Sequence, residues 1–336
     1  MKLSKWLGTI STLALCAVAL QGQSQAQAPA AAQGQAAAPR PARPAPVLKT
    51  IVEGKVYYAG VGSNVGYVIG DTGVIMIDNG FANASALIKS VTNKPITHVI
   101  ETHDDTDHIN GLYTTPNADK IKIVAMEDNW KQQWTSFKWT EKPKANCPQS
   151  PMPPQPNVII RQPRVETTID GVKFVLHHYG PSHTGHDLVI ELPEYKLAFV
   201  GDIVFTTDLF PDAHPGLPPQ DHNMFWKSEK RGTPRGMFHS VDELLKLDVT
   251  YVPGHGQTLM TKADIRKKRD DVKADYDKQS AMVRAGMSLD DLRKATGEDK
   301  YSPARGGCIN YVDLPWYVYT ETMRDMQELK DKGTIK

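Results

Sequence analysis

The chain has 336 residues, of which 40% are hydrophobic and 23% are charged, and its formal net charge is +1. These proportions are those of an ordinary globular protein, and they exclude a fibrous, collagen-like or mostly disordered chain. The first 46 residues contain four basic side chains and no acidic one, which leaves residues 47–336 with a net charge of −3. That body offers no basic surface typical of nucleic-acid binding, and it contains no apolar run long enough to span a membrane.

The N-terminus predicts export. Lys2 and Lys5 precede the apolar stretch Trp6–Leu20, and Ala26-Gln27-Ala28 follows it. A basic start, a short apolar segment and an A-x-A site together predict a signal peptide over residues 1–28 and a periplasmic or secreted product. A retained membrane anchor is the alternative, although the apolar stretch is short for a span. Once the signal is cleaved, we expect no membrane partner.

A linker separates the predicted signal from the folded domain. Of the 26 residues from 21 to 46, 21 are Gln, Ala or Pro. Such a composition cannot form a core, so residues 29–46 are predicted to be a flexible tether to a single domain over 47–336. Two cysteines remain in that domain, Cys147 and Cys308. In an oxidising compartment they form either one disulfide or two free thiols.

The domain alternates short apolar strands with helical patterns. Strands are predicted in the first half at Val56–Ala59, Asn64–Ile69, Gly73–Ile77 and Ile96–Glu101, with helices at Ala82–Val91 and Glu127–Trp134. In the second half they are predicted at Val158–Arg161, Thr167–Ile169, Val172–His177, Leu188–Leu192, Lys196–Val200 and Val249–Val252. The helices there are Val241–Leu247, Lys262–Arg284, Ser288–Ala295 and Trp316–Lys332. Two strand-rich halves with outer helices predict one layered α/β architecture.

The first predicted cluster of metal ligands follows the strand Ile96–Glu101. In an extended segment alternate side chains share a face, so we expect His103, Asp105 and Asp107 to point together. His108 would join them where the chain turns. Four potential ligands within six residues at a strand end indicate a metal site. A solvated acidic turn with incidental histidines is the alternative.

Three further candidates lie at the ends of other predicted strands. His183 follows the strand Val172–His177, Asp202 closes the run Phe199-Val200-Gly201, and His255 lies in the turn Pro253–Gly256. Each alone is weak evidence, because a single histidine in a turn is more often structural. The neighbouring glycines allow the backbone to turn tightly, so the ordered set indicates one shared centre.

This ordered set resembles the metallo-β-lactamase fold superfamily of metal-dependent hydrolases, over roughly Asn64–Gly256. Val74–Gly80 is similar to the family's apolar strand that ends in Asp-x-Gly. Thr92–Ile96 and the Pro-Gly-His-Gly turn are similar to periplasmic members related to the quinoprotein-relay and sulfur-oxidation hydrolases. The resemblance implies an α/β fold, an αβ/βα four-layer sandwich, with the metal site at the edge between its two halves.

The resemblance also implies a role for each candidate. The first metal site would consist of His103, Asp105 and His183, and the second of Asp107, His108 and His255, with Asp202 bridging them as in glyoxalase II-like members. Asp78 resembles a carboxylate that orients a ligand histidine through its other ring nitrogen. A turn-forming aspartate before Asn-Gly is the alternative for Asp78.

The sequence departs from the family pattern at Asp105. The family motif is His-x-His-x-Asp-His, and this chain replaces the second histidine with a carboxylate. A carboxylate can ligate zinc, and harder oxygen ligands also admit Mn²⁺ or Fe²⁺. Three outcomes stay open: a modified dinuclear site, a single metal at the second site, or a site without catalysis. His186, three residues after His183, is a substitute ligand, a proton donor or an ordinary loop histidine.

The function implied by the resemblance is hydrolysis. A metal-bound hydroxide, with one or two Zn²⁺ per chain, would attack a small ester, lactone, amide or related substrate. Asp107 would be the catalytic residue that orients the water and moves its proton. β-Lactam hydrolysis and a non-catalytic metal-binding or accessory role are the alternatives. Aromatic residues, Trp130, Trp134 and Trp226, either rim the substrate pocket or pack a helix onto the sandwich.

Overall fold

A computed structural model of the chain describes residues 45–335, except 82, 128–153, 205–231, 257 and 299–312. The predicted signal peptide and most of the linker lie outside the described residues. So do the tryptophans at 130, 134 and 226, both cysteines, and all but the first residue of the helix predicted at Glu127–Trp134.

Two β-sheets form the centre of the fold. The first has seven strands in chain order: β1 (Lys49–Val52), β2 (Val56–Val61), β3 (Ser63–Ile69), β4 (Val74–Ile77), β5 (Ile96–Ile100), β6 (Lys122–Met126) and β7 (Val158–Ile160). Strands β1 to β4 pair antiparallel, and β4 to β7 pair parallel. The second contains β8 (Arg164–Ile169), β9 (Val172–His177), β10 (Val189–Leu192), β11 (Leu197–Phe199) and β12 (Thr250–Val252). Within it only β11 and β12 pair parallel.

Helices cover the outer faces of both sheets. They are α1 (Ala84–Leu87), α2 (Thr106–Ile109), α3 (Pro234–Leu244), α4 (Lys262–Arg284), α5 (Leu289–Thr296) and α6 (Leu314–Asp331). Short 3₁₀ turns occupy Ile88–Ser90, Asn110–Thr114, Ala118–Lys120, Pro193–Tyr195 and Gly201–Ile203. No described helix is both long enough and apolar enough to cross a bilayer.

Three hydrophobic clusters separate four layers. Alternate residues of β4 belong to different clusters: Ile75 and Ile77 face the second sheet, whereas Val74 and Met76 face α1. Such a strand is buried on both faces, as expected for a parallel strand between two layers. The third cluster packs α3, α4 and α6 against the outer face of the second sheet. The predicted αβ/βα sandwich is confirmed.

The structure corrects several predicted boundaries. Strands β1 and β6 were not predicted, and the helix expected over 82–91 is the single turn α1 followed by a 3₁₀ turn. Helix α3 begins at Pro234, seven residues before the predicted start at Val241. The Thr233 side chain caps it by accepting a hydrogen bond from Gly236 N. Proline in the first turn after such a cap is a standard start of a helix, so the signal was present in the sequence.

Candidate metal centre

One edge of the sandwich gathers the segments that follow β4, β5, β9, β11 and β12. Strands β4 and β5 are parallel, and β9 runs in the direction of β11 and β12 because two antiparallel pairings separate β9 from β11. The carboxyl ends of these strands therefore meet. Backbone hydrogen bonds join the two sheets there, from Leu188 N to Thr102 O and from Asn64 N to Gly254 O, both at 2.7 Å.

The first group of ligand-type atoms comprises His103, Asp105, His183 and Asp202. One donor atom from each lies within 4.8 Å of every other, and all four residues are buried. Asp105 Oδ2 is 3.1 Å from His183 Nε2 and 3.5 Å from His103 Nε2. The carboxylate that departs from the family motif therefore lies between the two histidines.

The second group comprises Asp107, His108 and His255. Their donor atoms lie within the same 4.8 Å limit, with His255 Nε2 at 3.2 Å from Asp107 Oδ2 and at 3.4 Å from His108 Nε2. Asp202 joins the groups, because its Oδ1 is 3.2 Å from His108 Nε2 and its Oδ2 is 3.3 Å from His255 Nε2. All seven predicted site residues thus come together, in two adjacent groups that share Asp202.

Asp78 orients one histidine of each group. Its Oδ2 accepts a hydrogen bond from His108 Nδ1 at 2.7 Å and another from Thr102 Oγ1 at 2.8 Å. Since the Thr102 hydroxyl has donated its only hydrogen, it accepts the 3.0 Å hydrogen bond from His103 Nδ1. Both rings consequently direct Nε2 toward the centre. Asp78 also has φ of 56°, so it turns the chain as well as orienting ligands.

His255 is held in the same manner by backbone atoms. Its Nδ1 donates to the carbonyl oxygen of Gly62 at 3.0 Å. The buried amide of Asn64 donates to the carbonyl oxygens of Pro253 and Gly256, each at 2.9 Å, and so fixes the turn that carries the histidine. His255 therefore also presents Nε2.

The charges in this cluster match those of a cation site. Burial lowers the pKa of His103, and the neighbouring His108 lowers it further. Burial would also lower the pKa of His255, but Asp202 and Asp107 raise it to about 10. His103 Nε2 and Asp202 Oδ1 are buried and form no hydrogen bond to a described residue. Inward-facing imidazole nitrogens beside carboxylates with unused oxygens are the ligand set of a Zn²⁺-type metal, so the residues present fit one.

Replacing Asp78 with asparagine is expected to weaken metal binding by about 10- to 100-fold, as is usual when a partner of a ligand histidine is lost. Asparagine tolerates the positive φ, so the turn should persist. Its amide group cannot accept hydrogen bonds from both Thr102 N and His108 Nδ1. Competition with a chromogenic chelator measures the affinity, and Asp248→Asn at an exposed site is the control. Equal affinity in both variants would show that Asp78 does not support the centre.

Gly254 allows the loop after β12 to approach the loop after β11. A Cβ at this position would lie 2.0 Å from Asp202 Oδ1 and 2.6 Å from the carbonyl carbon of Gly201. Gly254 N donates to Gly201 O at 2.8 Å, so the backbone cannot easily withdraw. Position 254 therefore has room only for glycine, because a larger residue would collide with Asp202 and with the backbone of Gly201.

We expect Gly254→Ala to displace Asp202, to reduce the metal content and to destabilise the fold by about 1–3 kcal/mol through overpacking. Elemental analysis and thermal unfolding with and without chelator measure the two effects. Gly180→Ala separates the two effects, because its φ of 97° strains an alanine whereas a Cβ there meets nothing within 4 Å, so it should lower stability without lowering the metal content. Full metal content in Gly254→Ala would refute the steric argument.

The segment after β5 is not extended throughout, as the sequence interpretation assumed. Strand β5 ends at Ile100 and α2 begins at Thr106, so Asp107 projects from a helical turn and belongs to the second group. The assumption is therefore wrong beyond Asp105, although all the predicted ligands still converge.

His186 lies outside both groups. Its Nε2 is 2.9 Å from Asp104 Oδ1, and both residues are buried. This contact favours the interpretation as a structural loop histidine. Sequence reasoning missed Asp104, Thr102 and Asn64, which hold the loops together. The only signal for Thr102 was its position directly before His103.

The chain is similar in sequence to a known family and to a named protein. The family model described as "Metallo-beta-lactamase superfamily" matches residues 58–270. The 2,4-dinitroanisole O-demethylase subunit alpha of Nocardioides sp. strain JS1661 is 26% identical over 262 residues, which are 74% of this chain and 66% of that protein.

Solved structures share the fold. The sec-alkylsulfatase Pisa1 from Pseudomonas sp. superposes with a TM-score of 0.60 at 16% identity, over 83% of this chain and 50% of that one. A metallo-beta-lactamase from Pontibacter korlensis gives a TM-score of 0.50 at 17% identity, over 67% of this chain and 98% of that one. The chain thus spans about half of the sulfatase and about two thirds of the demethylase subunit.

Proposed function

The chain belongs to the metallo-β-lactamase superfamily, and on this premise we propose that it is a metal-dependent hydrolase that cleaves an ester, lactone, amide or related bond of a small molecule. The observation that carries the proposal is the pair of adjacent ligand groups that share Asp202. A structural ion-pair cluster does not require several imidazoles with their Nε2 atoms facing one point.

We assign His103, Asp105 and His183 to one metal ion and Asp107, His108 and His255 to the other, with Asp202 between them. Ions held there supply Lewis-acid activation of water and of the oxygen of the scissile bond. Zn²⁺ suits the imidazoles, and the additional carboxylate of Asp105 extends the range to Mn²⁺ or Fe²⁺. It also adds negative charge, which weakens the activation of water.

Asp107 is the ligand residue that can contact both water and substrate. Its side chain is 30% exposed, whereas those of the other six residues are at most 9% exposed. Burial would raise the pKa of Asp107, but the hydrogen bond from His255 and the charge of His108 lower it. The carboxylate therefore stays ionised and can accept a hydrogen bond from a water molecule, which orients that water toward the substrate.

An activated aryl C–O bond is a second candidate. The relative that is 26% identical is named for O-demethylation of 2,4-dinitroanisole. Hydrolysis of such an aryl methyl ether would release a phenol and methanol. The fold supports many reactions on one scaffold, so the substrate must be found by assay.

The test loads the protein with Zn²⁺ or Mn²⁺ and measures its rate of hydrolysis of four substrates. They are phenyl acetate, a γ-lactone, 2,4-dinitroanisole and a chromogenic cephalosporin. We expect turnover of the ester or lactone that is lost with chelator, restored with metal, and absent in Asp107→Asn. Glu191→Gln, at a histidine–carboxylate pair outside the site, should leave it unchanged. Turnover of only the cephalosporin would establish the β-lactamase alternative. Full metal content without turnover of any of the four would favour the accessory role.

We also propose that the protein is exported after cleavage near Ala28, on the support of Lys2, Lys5 and the apolar stretch Trp6–Leu20. The mass of the protein recovered from the periplasm of an expressing Gram-negative cell tests this. An uncleaved chain would contradict it.

A further inference from the structure

A cavity of about 700 Å³ lies at the amino ends of β4 and β5. The turn before β4, the start of β5 and the 3₁₀ turns after α1 and before β6 surround it. The candidate metal centre lies at the carboxyl ends of the same strands, so the length of the five-residue β5, about 15 Å, separates the two. The cavity is therefore distinct from the metal centre, and its volume is typical of a small-molecule site.

Four lysines line this cavity: Lys89, Lys94, Lys120 and Lys122. None of them forms an ion pair with any residue in the part of the chain that the structure describes. Lys94 Nζ donates instead to the carbonyl oxygen of Gly70 at 2.6 Å. The four ammonium groups therefore lie around one concave surface without forming ion pairs with its described residues.

Asp170 is the single acidic residue among the described residues that line the cavity. Its carboxylate already accepts hydrogen bonds from Thr72 N and Thr72 Oγ1, and from Gly73 N at 2.7 Å. Asp170 therefore shapes the turn before β4, and it neutralises at most one of the four lysine charges.

The distribution of lysines differs on the exposed helix α4. There Lys267 pairs with Asp271 and Lys273 pairs with Asp277, each at 2.6 Å. Such one-turn pairs are the ordinary arrangement of surface lysines. The four lysines of the cavity have no such acidic partners. They form a local positive cluster on a domain whose net charge is negative, so the total composition does not reveal it.

The wall of the cavity also provides neutral polar groups. Thr97 Oγ1 and His98 Nδ1 are hydrogen-bonded at 3.0 Å, and Asn93 and Asn117 also line the cavity. Ile88 contributes an apolar surface. Ammonium groups around a partly apolar recess are suited to an anion that is attached to a small organic body.

We propose that this cavity binds a small, multiply charged anion of the phosphate class, independently of the metal centre. Lysine ammonium groups bind phosphate oxygens as mobile point charges with several donors each. Two or more of them can contact one anion from different elements. The concave shape favours a small ligand over an extended nucleic acid.

Isothermal titration of the full-length, zinc-loaded protein with inorganic pyrophosphate tests the proposal. We expect binding that is at least about tenfold weaker in the double variant Lys120→Met/Lys122→Met, because each lysine supplies a charge-assisted hydrogen bond. Both residues are exposed, so the fold should persist. The matched control is Lys267→Met/Lys273→Met, which removes the same charge from α4 and should change the affinity less than twofold.

A second titration separates this cavity from the metal centre, because pyrophosphate also binds metal ions. The lysine-dependent binding should persist after removal of metal with chelator. Loss of all binding on metal removal, equal weakening in both double variants, or no binding by the wild type at millimolar pyrophosphate would each overturn the proposal. Tighter, lysine-dependent binding of a single-stranded oligonucleotide would overturn it in favour of a nucleic-acid surface.

Discussion

Replacing Asp202 with asparagine is expected to leave the protein folded but unable to hold two metal ions, with hydrolytic activity reduced by more than about 100-fold. Loss of a residue that merely supports a ligand costs about 10- to 100-fold, so loss of a direct ligand should cost more. Asp202 Oδ1 lies 3.2 Å from His108 Nε2, and Oδ2 lies 3.3 Å from His255 Nε2. Oδ2 is also 3.8 Å from His183 Nε2. One residue therefore serves both groups.

Asparagine keeps the shape of Asp202 but removes its charge and one acceptor oxygen. Elemental analysis should find at least about one metal ion fewer per chain than in the wild type, since Asp202 lies beside histidines of the second group and belongs to the first. Glu191→Gln is the matched control, because Glu191 is also paired with a histidine, His177, at 2.7 Å. Undiminished metal content in Asp202→Asn would show that Asp202 is not a metal ligand, whereas an equal loss in both variants would point to general destabilisation.

The layered fold was predictable because its strands are short, apolar and punctuated by turns. β3, β5 and β9 begin or end within one residue of their predicted limits. Strand β1 was missed because it is a half-buried strand at the sheet edge, with no alternating pattern of its own. The pattern also overstated the length of the helix before β5, where Ala84, Ser85 and Ile88 are the only buried residues among those described.

The candidate ligand residues were predictable because each lies in the segment that follows the carboxyl end of a strand, where side chains in an α/β sheet converge. Their division between two groups depends on the turn at Thr106, where α2 begins. The types of the ligand residues do not show where that helical turn begins, so they do not show which group each residue joins. Asn64 was not predictable, since its role comes from contacts across the two sheets, over the 189 residues that separate it from Pro253. The role of Thr102 was not predictable because it comes from a side-chain contact with Asp78, 24 residues earlier in the chain. The cavity lined by lysines was not predictable either, because its lining comes from five separate segments of the chain.

Replacing Asp105 with histidine, the residue that the family motif has at this position, is expected to shift metal preference toward zinc by at least about tenfold relative to manganese. Imidazole nitrogen suits zinc, whereas carboxylate oxygen suits harder ions. Asp105 Oδ2 lies 3.1 Å from His183 Nε2 and 3.5 Å from His103 Nε2, so it occupies the position of a third ligand in the first group. Its backbone has φ of −70° and ψ of 141°, which histidine adopts without strain.

Competition between the two metals for the apo protein measures this shift, and Asp105→Asn separates its two causes. Asparagine removes the charge without supplying an imidazole, so it should weaken the binding of both metals and leave their ratio nearer that of the wild type. An unchanged ratio in Asp105→His would mean that residue 105 does not contact the ion. If the wild type hydrolyses substrate and Asp105→His hydrolyses it more slowly, Asp105 is a working ligand. A degenerate site would instead gain activity when the family residue is restored. The carboxylate would then be an adaptation of this centre to a harder metal.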